Sequence, residues 1–294
     1  MLLINGVRTT QINALDRGLT YGDGLFETLA LIDGRPRLWR HHLQRLEYGC
    51  RRLGLALPDS RLLEHELLTL YRHFNGSDNR RLVAKIIITR GQGGRGYRPV
   101  DVEPTRIVSV FDWPDYPPEY IDGIRVRWCR SRLSHNPQLA GIKHLNRLDQ
   151  VMASLEWNDE TIAEGLMLDQ RDSVIEGTKT NLFVVRGQTL LTAPVDHCGI
   201  AGVIREVICT DVIDHQIPVE IRPLTTDDVR GANEAFVCNS IIGIWPVVRI
   251  IDDRRPAVFT VGPLTQTVRQ RLHDYLGVST DSAVDAAEQF GRGI

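Results

Sequence analysis

Lysine is scarce in this chain, and the scarcity marks side chains whose chemistry a plain positive charge could not replace. Of 35 lysines and arginines together, only Lys85, Lys143 and Lys179 are lysines. An arginine neither condenses with an aldehyde nor readily gives up its proton, whereas a partly desolvated lysine does both. Lys85 falls in the apolar run Leu82-Val83-Ala84-Lys85-Ile86-Ile87-Ile88 and reads as a charge on a strand face, while Lys179 sits among Gly, Thr and Asn in a turn. Lys143 closes the small-residue loop Leu139-Ala140-Gly141-Ile142 just before a helical pattern. Functional side chains are often displayed at such junctions, so Lys143 is the candidate for a covalent role.

Other groups complement an amine. Glu176 ends the apolar pair Val174-Ile175, where a carboxylate needs a partner and a cationic ring nitrogen would supply one. Arg45, with His42, borders the apolar stripe of a helix, a place for a structural arginine that snorkels or for one that grips a phosphate bidentately. Cys198-Gly199-Ile200-Ala201-Gly202-Val203-Ile204 opens a short helix after glycines, offering unpaired N–H groups to an anion. The loop Arg90-Gly91-Gln92-Gly93-Gly94-Arg95-Gly96-Tyr97-Arg98 is either a solvated basic loop or a carboxylate-recognising entrance. Asn239-Ser240-Ile241-Ile242-Gly243 is a polar patch at a strand end, a common place for ligand contacts.

The elements that must position these groups follow from periodicity. Asn5-Gly6 predicts a hairpin, and three glycines between Asp16 and Thr28 predict a loop that brings backbone close to something. Leu43, Leu46, Cys50 and Leu53 predict an amphipathic helix over 38–53, and a second helix covers 59–74. Asn146 caps a helix over 147–157, with Leu148, Val151, Met152 and Leu155 as its apolar face. Strands are expected at 28–32, 82–89, 105–111, 124–129, 164–168, 182–185, 190–192 and 234–238, with a helical tail after Leu276. At 294 residues two domains are expected, 1–112 and 123–294, joined by the proline-rich linker 113–122.

A net charge of -2 gives no reason to expect nucleic acid. Five widely spaced cysteines without a C-x-x-C pair argue against a disulfide framework or a zinc site, and no metal is expected. A reducing, cytoplasmic setting fits. The first residues lack a basic region before an apolar stretch, so no signal peptide is expected. The apolar run 235–248 is broken by Asn239, Ser240, Gly243 and Pro246, so no membrane span is expected either. An amine nucleophile, an acid for a ring nitrogen and cationic or N–H groups for a phosphate together are what pyridoxal 5'-phosphate requires.

The chain resembles the class IV pyridoxal-phosphate enzymes, which comprise branched-chain aminotransferases, D-amino-acid aminotransferases and 4-amino-4-deoxychorismate lyases. The motifs are Tyr21-Gly22-Asp23-Gly24-Leu25-Phe26-Glu27, His42-Leu43-Gln44-Arg45-Leu46, Gly141-Ile142-Lys143, Ile175-Glu176-Gly177 with Asn181-Leu182-Phe183, and Gly202-Val203-Ile204-Arg205. The resemblance implies an α/β fold of two domains, a smaller N-terminal one and a larger barrel-like C-terminal one, assembled as a homodimer. It implies Lys143 as the lysine that binds the cofactor, Arg45, Val203 and Ile204 as phosphate holders, Glu176 at the ring nitrogen, and Ser240 and Ile241 as further cofactor contacts. Arg90 to Tyr97 and Asn136 to Leu148 look like the lyase branch, which eliminates pyruvate from 4-amino-4-deoxychorismate to leave 4-aminobenzoate. Phe26, Arg90, Arg95 and Tyr97 are then expected beside that substrate. An aminotransferase of the same family is the nearer alternative, and a non-catalytic ligand-binding relative the more distant one.

Overall fold

The computed structural model describes residues 1–74, 81–100, 102–212, 217–252 and 255–277. The chain divides into two compact units, one of Met1–Pro114 with Ile142–Asn146, the other of Asp115–Gly141 with the chain from Arg147 onward. The helical tail expected after Leu276 lies, from residue 278, outside the described residues.

The first unit runs β1 (Leu2–Ile4), α1 (Arg17–Tyr21), β2 (Gly24–Ile32), β3 (Arg35–Pro36), α2 (Trp39–Leu53), α3 (Ser60–His73), β4 (Arg81–Thr89) and β5 (Thr105–Asp112). Its antiparallel sheet has the order β1-β5-β4-β2-β3. In β4 the residues Leu82, Ala84, Ile86 and Ile88 are buried while those between them are half-buried, the period-two pattern of a sheet with one face on a core. Helix α2 buries His42, Leu46, Gly49 and Cys50, and α3 buries Leu63, Glu66, Leu67 and Leu70. A Cβ on Gly49 would stand 2.8 Å from a methyl of Leu25, so α2 approaches β2 as closely as a glycine permits. Within α3, Glu66 is kept buried by two hydrogen bonds from Arg106 on β5, at 2.8 and 2.7 Å. The Asn5-Gly6 hairpin is reduced to a single bridge between Ile4 and Val7, and β1 pairs with β5 instead. Val7 is exposed and buries too little apolar surface to extend a second strand there.

The second unit contains β6 (Ile124–Leu133), α4 (Leu148–Ser154), β7 (Ile162–Asp169), β8 (Val174–Gly177), β9 (Asn181–Arg186), β10 (Thr189–Thr192), α5 (Val203–Val207), β11 (Val219–Ile221), α6 (Thr226–Arg230), β12 (Glu234–Asn239), β13 (Gly243–Ile251), β14 (Ala257–Val258) and α7 (Pro263–Tyr275). The sheet path is β11-β10-β9-β12-β13-β6-β7-β8, and a pairing of β8 with β9 at Glu176 and Asn181 closes six of its strands, β9-β12-β13-β6-β7-β8, into a ring. That closure is the barrel-like domain expected above. Val126, Leu166, Val184, Val237 and Trp245 belong to its core. Tyr116 and Tyr120 pack edge-on against Trp245, with centroids 4.7 and 5.0 Å away, so this part of the proline-rich stretch adheres to the second unit. All five cysteines are free thiols. Among the described residues no helix is long and apolar enough to cross a membrane.

Helix α4 corrects one expectation. It spans seven residues and starts after Arg147, with no side-chain cap, while the Asn146 amide points to the carbonyl of Gly22 at 3.4 Å. Asp149 accepts from the backbone of Ser134 at 2.9 Å. Ala153 is buried, whereas Leu148, Val151, Met152 and Leu155, the expected core face, are exposed by 49 to 74%. The apolar residues do share one side of the helix, but that side faces outward because the small residue on the opposite side meets the protein.

In the barrel, Phe183 and Phe236 stack with centroids 5.1 Å apart and both are fully buried. Phe236→Ala should lower stability by about 3–5 kcal/mol, read as a fall in the urea midpoint with an unchanged slope.

Candidate functional site

In the first unit, the segment 142–146 lies beside the start of β2: the Phe26 N–H donates to the Lys143 carbonyl at 2.9 Å and the Leu145 N–H to the Gly24 carbonyl at 3.0 Å. These bonds fix Lys143 half-buried, with its Nζ 4.2 Å from the centroid of the Phe26 ring. Lys85, on β4, brings a second ammonium 5.3 Å from the same ring. Two of the three lysines thus stand near one aromatic ring, and the alternating pattern around Lys85 is the sequence signal for its sheet-face position. Stacking a cation on a ring is favourable, more so where water is excluded.

Beneath this ring's neighbour lies a buried ionic cluster. Glu27, only 2% exposed, accepts from Arg45 Nε at 2.9 Å and Nη2 at 2.5 Å, and faces His42 Nδ1 at 2.6 Å. Burial pushes the Glu27 carboxyl up, but the Arg45 charge and the hydrogen bonds of Arg45 and His42 outweigh it and hold the pKa at about 2. His42 is pushed below its ordinary value first by burial, with Arg45 and Lys143 adding to the effect and Glu27 opposing it. Its other ring nitrogen, Nε2, is buried without a hydrogen-bond partner.

The basic loop is organised by a residue that sequence gave no reason to single out. Arg17, 3% exposed, donates from Nε to Asp23 at 2.9 Å and from Nη1 and Nη2 to the carbonyls of Gly96 and Tyr97 at 2.8 and 3.0 Å. Arg90, expected beside a substrate, donates from Nε to Asp23 at 2.8 Å and from Nη1 and Nη2 to Gly54 and Leu53, carbonyls at the end of α2. Burial raises the Asp23 carboxyl, and Arg90 and Arg17 together bring it below its ordinary value. Arg90 therefore ties this loop to a helix end, where unpaired carbonyls and the negative end of the dipole favour a cation. Arg95 and Tyr97 are exposed, with Tyr97 edge-on to Tyr21 at 5.6 Å.

In the second unit, Glu176 is 3% exposed at the barrel seam. Its Oε2 accepts from the Ile200 N–H at 2.9 Å and from the Asn181 amide at 3.4 Å. Asn181 also donates to the Ile200 carbonyl at 2.9 Å, and a Cβ on Gly202 would strike Asn181 Oδ1, which explains the glycine before α5. Val203 and Ile204 are buried at the start of α5, whose first residue follows Gly202 with no side-chain cap. Burial pushes the Arg147 guanidinium below its ordinary value, with Glu176 and Asp149 opposing the shift. At the polar patch, Asn239 Oδ1 accepts from the N–H groups of Ile241 and Ile242 at 2.8 and 2.9 Å, so the Ile241 N–H is already engaged. Ser240 is half-buried beside it.

Glu164 is a further buried carboxylate, fully enclosed, that the apolar strand around it hid from view. It accepts from the N–H groups of Gly165, Thr178 and Lys179 and from the hydroxyls of Thr178 and Thr180, which fixes the turn between β8 and β9. Elsewhere, ligand atoms of His135, Asp169 and Cys198 lie within 4.8 Å of one another. There Asp169 already accepts from His135 and from the N–H groups of Arg171 and Ser173, so the group satisfies itself.

Comparison with known proteins places these residues in context. The family described as amino-transferase class IV matches residues 24–250. An aminodeoxychorismate lyase of Vibrio harveyi is 32% identical over 276 residues, covering 93% of this chain and all of that protein. A crystal structure of 4-amino-4-deoxychorismate lyase from Pseudomonas aeruginosa superposes with a TM-score of 0.85 at 43% identity, covering 93% of this chain and 98% of that one. A putative branched-chain-amino-acid aminotransferase of Methanocaldococcus jannaschii is 29% identical over 270 residues, covering 91% of this chain and 92% of that protein.

The Glu27 cluster makes stability depend on acid. The folded pKa of about 2 lies below the ordinary 4.5, so the ionised carboxylate contributes stability above pH 4.5 that is lost as pH falls towards 2. Glu27→Gln should lose roughly 3 kcal/mol at neutral pH and show a flatter decline through that window, read from urea midpoints at each pH.

Proposed function

Because this chain belongs to the class IV aminotransferase family, we propose that it is a pyridoxal 5'-phosphate enzyme that converts 4-amino-4-deoxychorismate to 4-aminobenzoate and pyruvate. The observation that carries this reading is Lys143, half-buried and pinned by its own carbonyl to Phe26, in a chain 43% identical to a solved lyase. The residues present fit the cofactor: an amine, a buried carboxylate, a half-buried arginine and a helix start without a side-chain cap are the donor set it demands.

Bound, the cofactor supplies an aldehyde for capturing amines and a cationic ring that accepts an electron pair from the carbon next to the captured nitrogen. Lys143 Nζ anchors it covalently. With substrate bound, the free amine of Lys143 would remove the proton from the substrate carbon that bears nitrogen. Loss of that proton, with cleavage of the bond between the ring carbon and the ether oxygen, would make the ring aromatic, and the enolpyruvate released would become pyruvate by taking a proton on its methylene carbon. Glu176, oriented by the Ile200 N–H and Asn181, would face the pyridine nitrogen and favour its protonated form. Arg45 holds the phosphate with the N–H groups of Val203 and Ile204, and Ser240 serves it more readily than Ile241, whose N–H Asn239 occupies. Two substrate carboxylates fall to Arg95 and Tyr97 on the loop that Arg17 and Arg90 brace.

The exposed apolar face of α4 fits contact with a second copy of the chain, and a homodimer is the assembly we propose. Five free thiols fit a reducing cytoplasm. The nearer alternative, an aminotransferase, requires a 2-oxo acid co-substrate; the relative from Methanocaldococcus jannaschii keeps it in view.

Incubation with 4-amino-4-deoxychorismate and no added 2-oxo acid should produce fluorescent 4-aminobenzoate in many turnovers; a strict need for 2-oxo acid would point to the aminotransferase. Lys143→Ala should lose turnover by at least a thousand-fold, and borohydride should attach the cofactor at Lys143 in the parent protein. Met152→Glu should shift the sedimentation coefficient from dimer to monomer.

A further inference from the structure

The glycine-rich loop carries Arg95 and Tyr97 on a backbone with no core of its own, since every residue from Gly94 to Arg98 is exposed. Among the described residues, no backbone-to-backbone hydrogen bond reaches residues 93–98. Its polar tethers come from α1. Arg17 Nη1 and Nη2 donate to the carbonyls of Gly96 and Tyr97, and the Tyr21 hydroxyl accepts from the Gly96 N–H at 3.2 Å. The Arg17 guanidinium also lies 4.6 Å from the centroid of the Tyr21 ring, so the two tethers support each other. A Cβ on Gly93 would stand 2.4 Å from Arg17 Cδ, so the chain passes the arginine stem at a distance only glycine permits. Behind the fork, one oxygen of Asp23 accepts from Nε of both Arg17 and Arg90, and Arg90 is fixed in turn to the carbonyls that end α2. All three nitrogens of the buried Arg17 guanidinium are thus engaged, two on the loop and one on its anchor.

We propose that Arg17 is a positioning residue for the substrate: it orders the loop backbone so that Arg95 and Tyr97 meet the substrate carboxylates already in place. This rests on the functional reading above, which gives those carboxylates to Arg95 and Tyr97. A loop with three glycines samples many backbone states, and a ligand binding to it would have to select one. Bridging the carbonyls of Gly96 and Tyr97 fixes the peptide planes on both sides of Tyr97, with Arg95 one residue earlier. Freedom is therefore lost when the chain folds rather than when the substrate binds. Contacts to the carboxylates persist from bound substrate to transition state, so their loss falls on KM and leaves kcat alone. The compact ammonium of a lysine lacks the planar fork that spans two carbonyls and a carboxylate.

The test uses the full-length enzyme loaded with pyridoxal 5'-phosphate. Arg17→Met should raise KM for 4-amino-4-deoxychorismate roughly ten-fold and weaken competitive inhibition by 4-aminobenzoate by a similar factor. Turnover number and the affinity for pyridoxal 5'-phosphate, read from absorbance titration of the cofactor-free protein, should stay at parental values. Arg17→Lys keeps the charge and should show most of the same rise, which also serves if Arg17→Met does not fold. In a background that already carries Arg95→Met and Tyr97→Phe, adding Arg17→Met should change KM less than about two-fold, because nothing is left to position. A parental KM in either Arg17 variant, a fall in kcat at unchanged KM, or a full ten-fold penalty in the doubly substituted background overturns the proposal. A parent that forms no 4-aminobenzoate removes the lyase reading, and the positioning role with it.

Discussion

An ionised carboxylate in a dry interior must be matched, and the first unit is arranged around the match made for Glu27. The carboxylate projects from β2, and both of its side-chain partners, His42 and Arg45, come from one face of α2 three residues apart. That pairing fixes how the helix is rotated on the sheet. Gly49 then allows α2 to settle against Leu25, and the end of the same helix receives Arg90. A single buried charge thus sets the helix that presents Arg45, and through Arg90 the position of the neighbouring loop.

The second unit meets the same constraint differently. Glu164 is surrounded by hydroxyls and N–H groups, with no arginine or lysine side chain donating to it among the described residues, whereas Glu176 Oε2 accepts from a backbone N–H and a side-chain amide. Glu164 has its acceptors filled and shapes a turn.

Lys143, Glu176 and the α5 start were legible because scarcity, an isolated charge in an apolar run and glycine punctuation are local signals. The five-stranded sheet and the barrel strands were legible from period-two patterns, though the closing of the ring at Glu176 and Asn181 was not, since strand order is a property of distant pairings. Arg17 and Glu164 escaped notice because arginine is everywhere in this chain and one glutamate inside a strand looks like any other until its five donors are seen. The face of α4 was misread for a related reason. Spacing shows that apolar residues share a side of a helix, but only tertiary packing decides which side meets the protein.

The short segment 142–146 has a bearing on how the molecule can be dissected. Gene fragments cut at the boundary after Pro114 would separate the opening of β2 from the residues that complete its hydrogen bonding, since the donors and acceptors of Gly24 and Phe26 are met from a stretch encoded some thirty codons downstream. The N-terminal piece would carry an unfinished strand edge, open to stray pairing. Expressing it as an autonomous module would call for splicing that pentapeptide back in through a grafted loop.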